Sequence, residues 1–156
     1  MAHKSTALSR RTLLVAATGL VPLSLVRAQP NTAPDQKGDV VRLRFNFADQ
    51  DFTATLDENP SARDLLSMLP LNLTIEDYST NEKIAYLPRK LTEDGSGPFD
   101  NEAVGDLCYY APWGNLALFH GSYHWSRGLI RLGRLDQGAK PLLVRGTYPL
   151  RVEGLS

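Results

Sequence analysis

The sequence predicts a mainly β fold, a small closed barrel of about eight strands with one short helix. Short stretches of alternating apolar and polar residues recur about every eight to twelve residues and are separated by turn residues. Only one stretch has the spacing of an amphipathic helix. A closed barrel is favoured over a two-sheet sandwich because closure removes exposed sheet edges.

Alternation identifies the first strands and the last. In residues 40–47, Leu43, Phe45 and Phe47 would point to one side and the polar residues between them to the other. A turn follows, and residues 52–56 return as the second strand of a hairpin. The same pattern predicts strands over residues 71–76, 84–87 and 147–152. Pro149 in the last of these indicates a sheet edge or a bulge, because proline has no N–H to donate.

One helix is predicted over about residues 60–69. Asn59 can cap its start, Pro60 suits the first helical position, and Pro70 ends it. The residues with the spacing of an apolar stripe are Ala62, Leu65, Leu66 and Leu69. We expect this helix to lie across the mouth of the sheet.

The central stretch, residues 105–135, predicts a hairpin and a third strand. Residues 106–111 and 115–120 are apolar runs on either side of Pro112-Trp113-Gly114. Pro112 suits the first central position of a tight turn, and Gly114 can adopt the left-handed conformation that matches strand twist. The third strand covers residues 128–135. A long loop over residues 92–105, rich in glycine and acidic residues, precedes this stretch.

Residues 1–28 are predicted to be an export signal and not part of the fold. Arg10 and Arg11 stand directly before a short apolar run, which resembles a twin-arginine signal and predicts a periplasmic protein. The alternative is an uncleaved membrane anchor, which is disfavoured because a bilayer core requires roughly 20 apolar residues. After cleavage we expect no stable membrane insertion. Residues 29–39 would form a flexible linker and residues 40–153 the folded domain.

Charge argues against a nucleic-acid partner. Removing residues 1–28 takes four basic and no acidic residues from a chain that carries 17 of each, which leaves a net charge of −4. A nucleic-acid binder needs a clustered basic face, whereas the arginines after residue 126 alternate with apolar residues and glycines. We expect a monomer or a weakly associating homodimer.

Conventional catalytic and metal motifs are weak in this sequence, so we predict no catalytic residue, no metal and no cofactor. His120 and His124 are four residues apart, but they fall across a strand end and a loop, with no further ligand beside them. Cys108 lies within a strand and is expected to be a buried, unreactive thiol. Glu76 and Asp77 are adjacent, would face opposite sides of a strand, and are expected to have structural or solvent-facing roles.

Aromatic residues concentrate in the second half of the chain and leave two interpretations open. Tyrosine and tryptophan combine apolar area with one polar group, which is typical of recognition pockets, but the same residues also fill barrel cores. If a ligand groove exists, an arginine would contact an anionic group of the ligand. The predicted ligand-binding residues are Tyr86, Tyr110, Trp113, Asn115, Arg127 and Arg131.

Several strings resemble, in order and spacing, those of a bacterial cyclophilin-like domain family: NPSARD (59–64), LPL (69–71), KIAYLP (83–88), YYAPWGNL (109–116) and SRGLIRLG (126–133). The resemblance covers roughly residues 40–152. It implies an eight-stranded barrel like that of the prolyl isomerases, with short helical turns. It does not imply their activity, since true cyclophilins carry a Phe-His-Arg string and the nearest fragment here is Phe119-His120-Gly121.

These observations lead to a functional hypothesis with two alternatives. We expect an exported cyclophilin-like protein that binds a small molecule or an extended peptide in an aromatic groove. The first alternative is a periplasmic peptidyl-prolyl isomerase or folding helper, in which Arg127 would supply the transition-state contact. The second is an interaction module that docks on another exported protein.

Overall fold

Eight strands, one α-helix and one 3₁₀ helix make up the computed structural model, which describes residues 39–155. The predicted export signal and all but the last residue of the predicted linker lie outside these residues. The elements in chain order are β1 (Arg42–Phe47), β2 (Gln50–Leu56), α1 (Pro60–Ser67), β3 (Leu71–Tyr78), β4 (Glu82–Tyr86), β5 (Asp106–Tyr110), β6 (Asn115–Phe119), β7 (Leu129–Leu135), the 3₁₀ helix (Lys140–Leu143) and β8 (Tyr148–Leu155).

The strands close into an antiparallel barrel in the order β1-β2-β7-β5-β6-β4-β3-β8, and β8 pairs back to β1. This confirms the predicted mainly β, closed eight-stranded fold with one short helix. Pro149 lies opposite Thr74 of β3, whereas β1 pairs with β8 only as far as Phe47 opposite Leu150. Pro149 therefore has a paired strand on one side only, a position that proline tolerates in a sheet.

The barrel interior is filled by the alternate residues of its strands. Leu43, Phe45 and Phe47 all point inward, as the alternation predicted, and are at most 2% exposed. The ring of Phe52 in β2 stacks on Phe45, with ring centroids 5.3 Å apart, and meets Phe47 edge-on at 6.0 Å. The interior is thus a packed core, in agreement with the behaviour of small barrels.

Helix α1 is capped and anchored by Asn59. The Asn59 side chain accepts a hydrogen bond from the Ala62 N–H at 2.8 Å and donates one to the Arg131 carbonyl of β7 at 2.9 Å. Ala62 and Leu65 are buried against the core. The helix ends at Ser67, earlier than predicted, because Leu69 precedes Pro70 and such residues disfavour helical geometry. Within residues 39–155 we find no helix with the length and hydropathy that a membrane crossing requires.

Gly133 permits the close approach of β2 and β7. A Cβ at this position would lie 2.1 Å from the Thr55 carbonyl oxygen and 2.9 Å from the Leu56 Cα. Both distances are far below van der Waals contact and involve backbone atoms that cannot rotate away. Only glycine therefore allows β2 and β7 to close the barrel at this point.

A charged pair is buried beside the inner core. Lys83 is 0% exposed, and its Nζ donates a hydrogen bond to Asp77 Oδ1 at 2.8 Å. The Gly146 N–H donates to Asp77 Oδ2 at 2.7 Å, and the Asp77 side chain is 19% exposed. Burial alone would raise the pKa of Asp77, but the hydrogen bonds from Lys83 and Gly146 outweigh it and lower the pKa. Asp77 therefore has the structural role that the sequence predicted.

We expect Asp77→Asn to destabilise the fold by about 3 kcal/mol, because it leaves the Lys83 ammonium buried without a carboxylate. Lys83→Met should cost less, since Asp77 keeps the Gly146 N–H and reaches solvent. Urea unfolding monitored by tryptophan emission measures both. Because the pKa of folded Asp77 is lowered, its contribution is present above the ordinary carboxyl pKa and is lost as pH falls through the folded value. A parent and Asp77→Asn variant of equal stability at neutral pH would contradict this account.

Candidate functional site

The outer face of β5 and β6 carries a second apolar cluster. Leu107 and Tyr109 point into the barrel, so Cys108 and Tyr110 point outward. In the register of the sheet, Ile84 of β4, Ala117 of β6 and Cys108 of β5 lie side by side. These outward residues are buried because loops cover them. The strands next to the site therefore have two apolar faces.

The connection between β6 and β7, residues 120–128, folds back over this outer face. The Tyr123 ring stacks on Phe119, with centroids 3.7 Å apart and planes at 7°. The Trp125 backbone N–H donates to Glu102 Oε1 at 2.8 Å, and its indole Nε1 donates to the Leu129 carbonyl at 3.0 Å. These contacts hold the connection against the sheet at both ends.

Asp106 joins the covering loops to the barrel. It is 0% exposed, and its carboxylate accepts hydrogen bonds from the Ala103 N–H at 2.9 Å and the Tyr123 hydroxyl at 2.7 Å. Arg134 Nε donates to the other oxygen. Burial, together with the hydrogen bond to Asp106, raises the pKa of Tyr123, so this hydroxyl stays protonated and acts as a donor.

A cleft of about 370 Å³ opens on the outer face beside this cluster. Its volume lies at the lower end of the range for small-molecule sites, about 300–1,000 Å³. The residues that line it come from β3 to β7 and their connections: Tyr78, Asn81, Glu82, Ile84, Tyr110, Trp113, Asn115, Ala117, Phe119, Tyr123, His124, Ser126 and Leu129.

Three aromatic rings span this cleft, and we call them the aromatic bridge. Trp113 meets Tyr78 edge-on at 5.3 Å and Tyr110 at 5.6 Å between ring centroids. Tyr78 belongs to β3 and Tyr110 to β5, and β4 and β6 lie between these strands. Trp113 is held in position by its turn, in which Gly114 has the predicted positive φ of 72° and its N–H donates to the Tyr110 carbonyl at 2.9 Å. The bridge leaves Trp113 47% and Tyr78 41% exposed.

Two polar groups of the cleft have no partner within residues 39–155. Asn115 is buried and its Nδ2 donates to the Leu116 carbonyl at 3.0 Å, but its Oδ1 accepts no hydrogen bond. Glu82 is half-buried, and burial raises the pKa of its carboxyl. Its carboxylate takes part in none of the ion pairs among the described residues. Most buried polar groups in proteins are hydrogen-bonded, so the unpaired Asn115 oxygen is notable.

The six predicted ligand-binding residues divide equally. Tyr110, Trp113 and Asn115 line the cleft. Tyr86 is 51% exposed and lies outside it, although Tyr86 pairs with Asn115 in the sheet. Arg127 is exposed and is not among the lining residues. Ligand binding at any of the six stays a prediction.

Arg131 lies outside the cleft in a structural network. Its Nε donates to Asp57 Oδ2 at 3.1 Å, its Nη1 donates to Asn101 Oδ1 at 2.8 Å, and its guanidinium lies 5.0 Å from the Phe99 ring centroid. These contacts fix the long loop before β5. Arg131 therefore has a structural role, because it ties the long loop before β5 to β7 and to Asp57.

Sequence reasoning missed several lining residues, among them Tyr78 and Glu82. Both lie on the hairpin formed by β3 and β4, and β4 reaches the cleft by pairing with β6, which follows it only after the long loop. The sequence around residues 78–82 indicates a turn between β3 and β4, but it does not indicate that β4 pairs with β6. Residues 39–155 contain no cluster of three or more histidine, cysteine or acidic side chains suited to a metal ion.

The Cyclophilin-like family profile matches residues 45–153, which covers most of the chain and all of the strands that form the cleft. The chain belongs to the Cyclophilin-like family. This cyclophilin-like barrel also resembles a hypothetical protein of Archaeoglobus fulgidus, whose structure was solved in solution. The two share 22% identity and a TM-score of 0.61, with 76% of this chain and 98% of the archaeal chain covered. This likeness concerns the fold alone. No curated protein matches the chain.

Cys108 should be unreactive in the folded protein. It is 0% exposed, and burial raises its pKa to about 12, against a weaker lowering by the hydrogen bond with the Tyr123 hydroxyl. We expect iodoacetamide at pH 8 to leave the native protein unmodified for hours and to modify it completely in urea, as followed by intact mass. Because the chain has one cysteine, the mass shift is unambiguous. Rapid modification of native protein would show that the covering loop opens.

Proposed function

We propose that this cyclophilin-like barrel binds a small molecule or an extended peptide segment in the outer cleft spanned by the aromatic bridge. The observation that carries the proposal is the exposure of Trp113 and Tyr78 above a concave, partly apolar surface. Tyrosine and tryptophan at such positions supply contact area at low conformational cost.

The cleft is preformed, which favours binding. Phe119 and Tyr123 on its wall are stacked and held through Asp106, and Ile84 and Ala117 belong to paired strands. A ligand therefore does not have to order these groups on arrival. Pre-organisation of this kind lowers the entropic cost of association.

Binding is favoured over prolyl isomerisation by the positions of the arginines. The isomerase alternative requires an arginine side chain that reaches a bound prolyl carbonyl. Arg127, the candidate for that role, is exposed and outside the lining, and Arg131 is engaged by Asp57 and Asn101. The acidic side chain that lines the cleft is instead Glu82, and no described lysine or arginine lines it.

Trp113→Ala tests the proposed site. We expect ligands found with the parent protein, by ligand-observed NMR against small aromatic fragments and proline peptides, to bind at least about tenfold more weakly to the variant, because a central aromatic contact is typically worth more than 1.4 kcal/mol. Tyr86→Ala is the matched control, since Tyr86 is equally exposed but outside the cleft. Equal binding by Trp113→Ala and parent would refute the site.

We also propose that the chain is exported through its arginine pair, on the strength of the sequence of residues 1–28. Replacing Arg10 and Arg11 together by lysine should hold the protein in the cytoplasm at its full mass, whereas the parent should appear in the periplasm shortened by about 28 residues. Arg27→Lys is the control: it is the same charge-conserving substitution, made within the signal but outside the arginine pair. Cell fractionation with intact mass measurement makes the comparison, and export of the doubly substituted chain would contradict the proposal.

A further inference from the structure

The cleft offers acceptors without donors at two positions. Asn115 contributes a buried amide oxygen that accepts no hydrogen bond, and Glu82 contributes a half-buried carboxylate that forms no ion pair, counting contacts within residues 39–155. Desolvated acceptors without partners cost the fold free energy. Such groups persist at sites where a ligand supplies the missing donors.

The two acceptors stand at opposite ends of the cleft. Glu82 lies opposite Phe119 in the sheet, and Asn115 is four residues from Phe119 along β6. At roughly 3.4 Å per residue, their positions along the strands differ by about 14 Å. Between them Ile84 lies opposite Ala117, and both line the cleft. A ligand that satisfies both ends would be elongated, with a donor at each end and an apolar middle.

The charged residues in the lining favour a cationic group of the ligand beside Glu82. No lysine or arginine of the described chain lines the cleft. The other titratable groups of its lining are Tyr78, Tyr110, Tyr123 and His124, and the His120 side chain hydrogen-bonds the backbone of Glu82. The aromatic bridge adds the faces and edges of Tyr78, Trp113 and Tyr110, and aromatic faces attract ammonium groups. An anionic group would meet the Glu82 carboxylate with no compensating charge.

We propose that the cleft recognises an elongated organic ammonium, with its ammonium on Glu82, an alkyl stem along Ile84 and Ala117, and a second N–H or O–H donor on Asn115. The inference rests on the proposed binding function and assigns the ligand class. An ammonium with this geometry is present both in free amines and in the lysine side chain of an extended peptide.

Three probes of equal length test the charge requirement: an eight-carbon α,ω-diamine, the matching amino alcohol and the matching diol. Each has a donor at both ends, so all three can serve Asn115. We expect calorimetry at neutral pH to show both amines binding at least about tenfold more tightly than the diol, since hydrogen bonds to charged groups are the stronger ones.

Glu82→Gln isolates the carboxylate. The variant should lose the preference for the amines over the diol and keep the affinity for the diol. It should also fold, because burial raises the pKa of Glu82, which means that the ionised carboxylate opposes folding at neutral pH. We therefore expect a melting temperature that is unchanged or higher. Glu76→Gln is the control, a carboxylate on the same hairpin outside the cleft lining.

The outcomes separate the two proposals. If the diol binds as tightly as the amines and Trp113→Ala abolishes its binding, the cleft is a binding site and the ammonium proposal is wrong. If the amines bind more tightly but Glu82→Gln does not change this, the proposal is also wrong. If none of the probes binds but the fragment screen yields ligands dependent on Trp113, only the ammonium proposal fails. If nothing binds in either experiment, both fail.

A second pair of probes distinguishes the source of the ammonium. An acetylated, amidated tripeptide with a central lysine is compared with its norleucine counterpart. Tighter binding of the lysine peptide than of the diamine, with loss in the norleucine peptide, would indicate a polypeptide ligand. Tighter binding of the diamine would indicate a free amine. Equal binding of the lysine and norleucine peptides, together with no preference for the diamine over the diol, overturns the proposal.

Discussion

The buried carboxylate of Asp106 holds together the parts of the molecule from which the cleft is built. It receives hydrogen bonds from Arg134 on β7, from the Ala103 N–H in the long loop and from the Tyr123 hydroxyl in the connection after β6. A charge that is 0% exposed requires such donors, because removing one leaves it poorly compensated in a medium of low polarity. The position of Tyr123, and with it the stacked wall of the cleft, therefore depends on Asp106.

Two strands at the site, β5 and β6, are buried on both faces. β1 alternates between exposed and buried residues, as a strand with one solvated face does, whereas every residue of β6 is buried. The second face of β6 is covered by the connection after it and by Phe99 of the long loop. The cleft lies beside these covering segments. Its lining therefore combines buried apolar residues, such as Ile84 and Ala117, with the exposed rings of Tyr78 and Trp113.

The sequence was most informative where one face of an element meets water. Alternation placed Phe45 and Phe47 in the core, Asn59 was recognised as a helix cap, and Gly114 as a left-handed turn residue. It was least informative in β5 and β6, whose continuous apolar runs do not indicate which side faces inward. Tyr109 and Tyr110 are adjacent, yet Tyr109 is in the core and Tyr110 lines the cleft.

The same reason explains the polar groups that were missed. Lys83 is a charged residue in a short strand and gave no sign of burial, because the carboxylate that accepts its hydrogen bond comes from the neighbouring strand. Glu82 reaches the cleft through the pairing of β4 with β6, which is a property of the closed barrel and not of any local pattern. The family resemblance predicted the barrel. The residues that line the cleft could be identified only from the pairing of the strands in three dimensions.

In this barrel the inward residues form the packed core, and a different set of residues, on the outside of the strands, forms the cleft. The rings of Phe45, Phe47 and Phe52 occupy the space where larger barrels carry a ligand, so the proposed binding surface lies on the outside wall. Substitutions at outward positions of the cleft change what the wall offers without altering the volume of the core. The same packed core is therefore compatible with different residues on the outer wall.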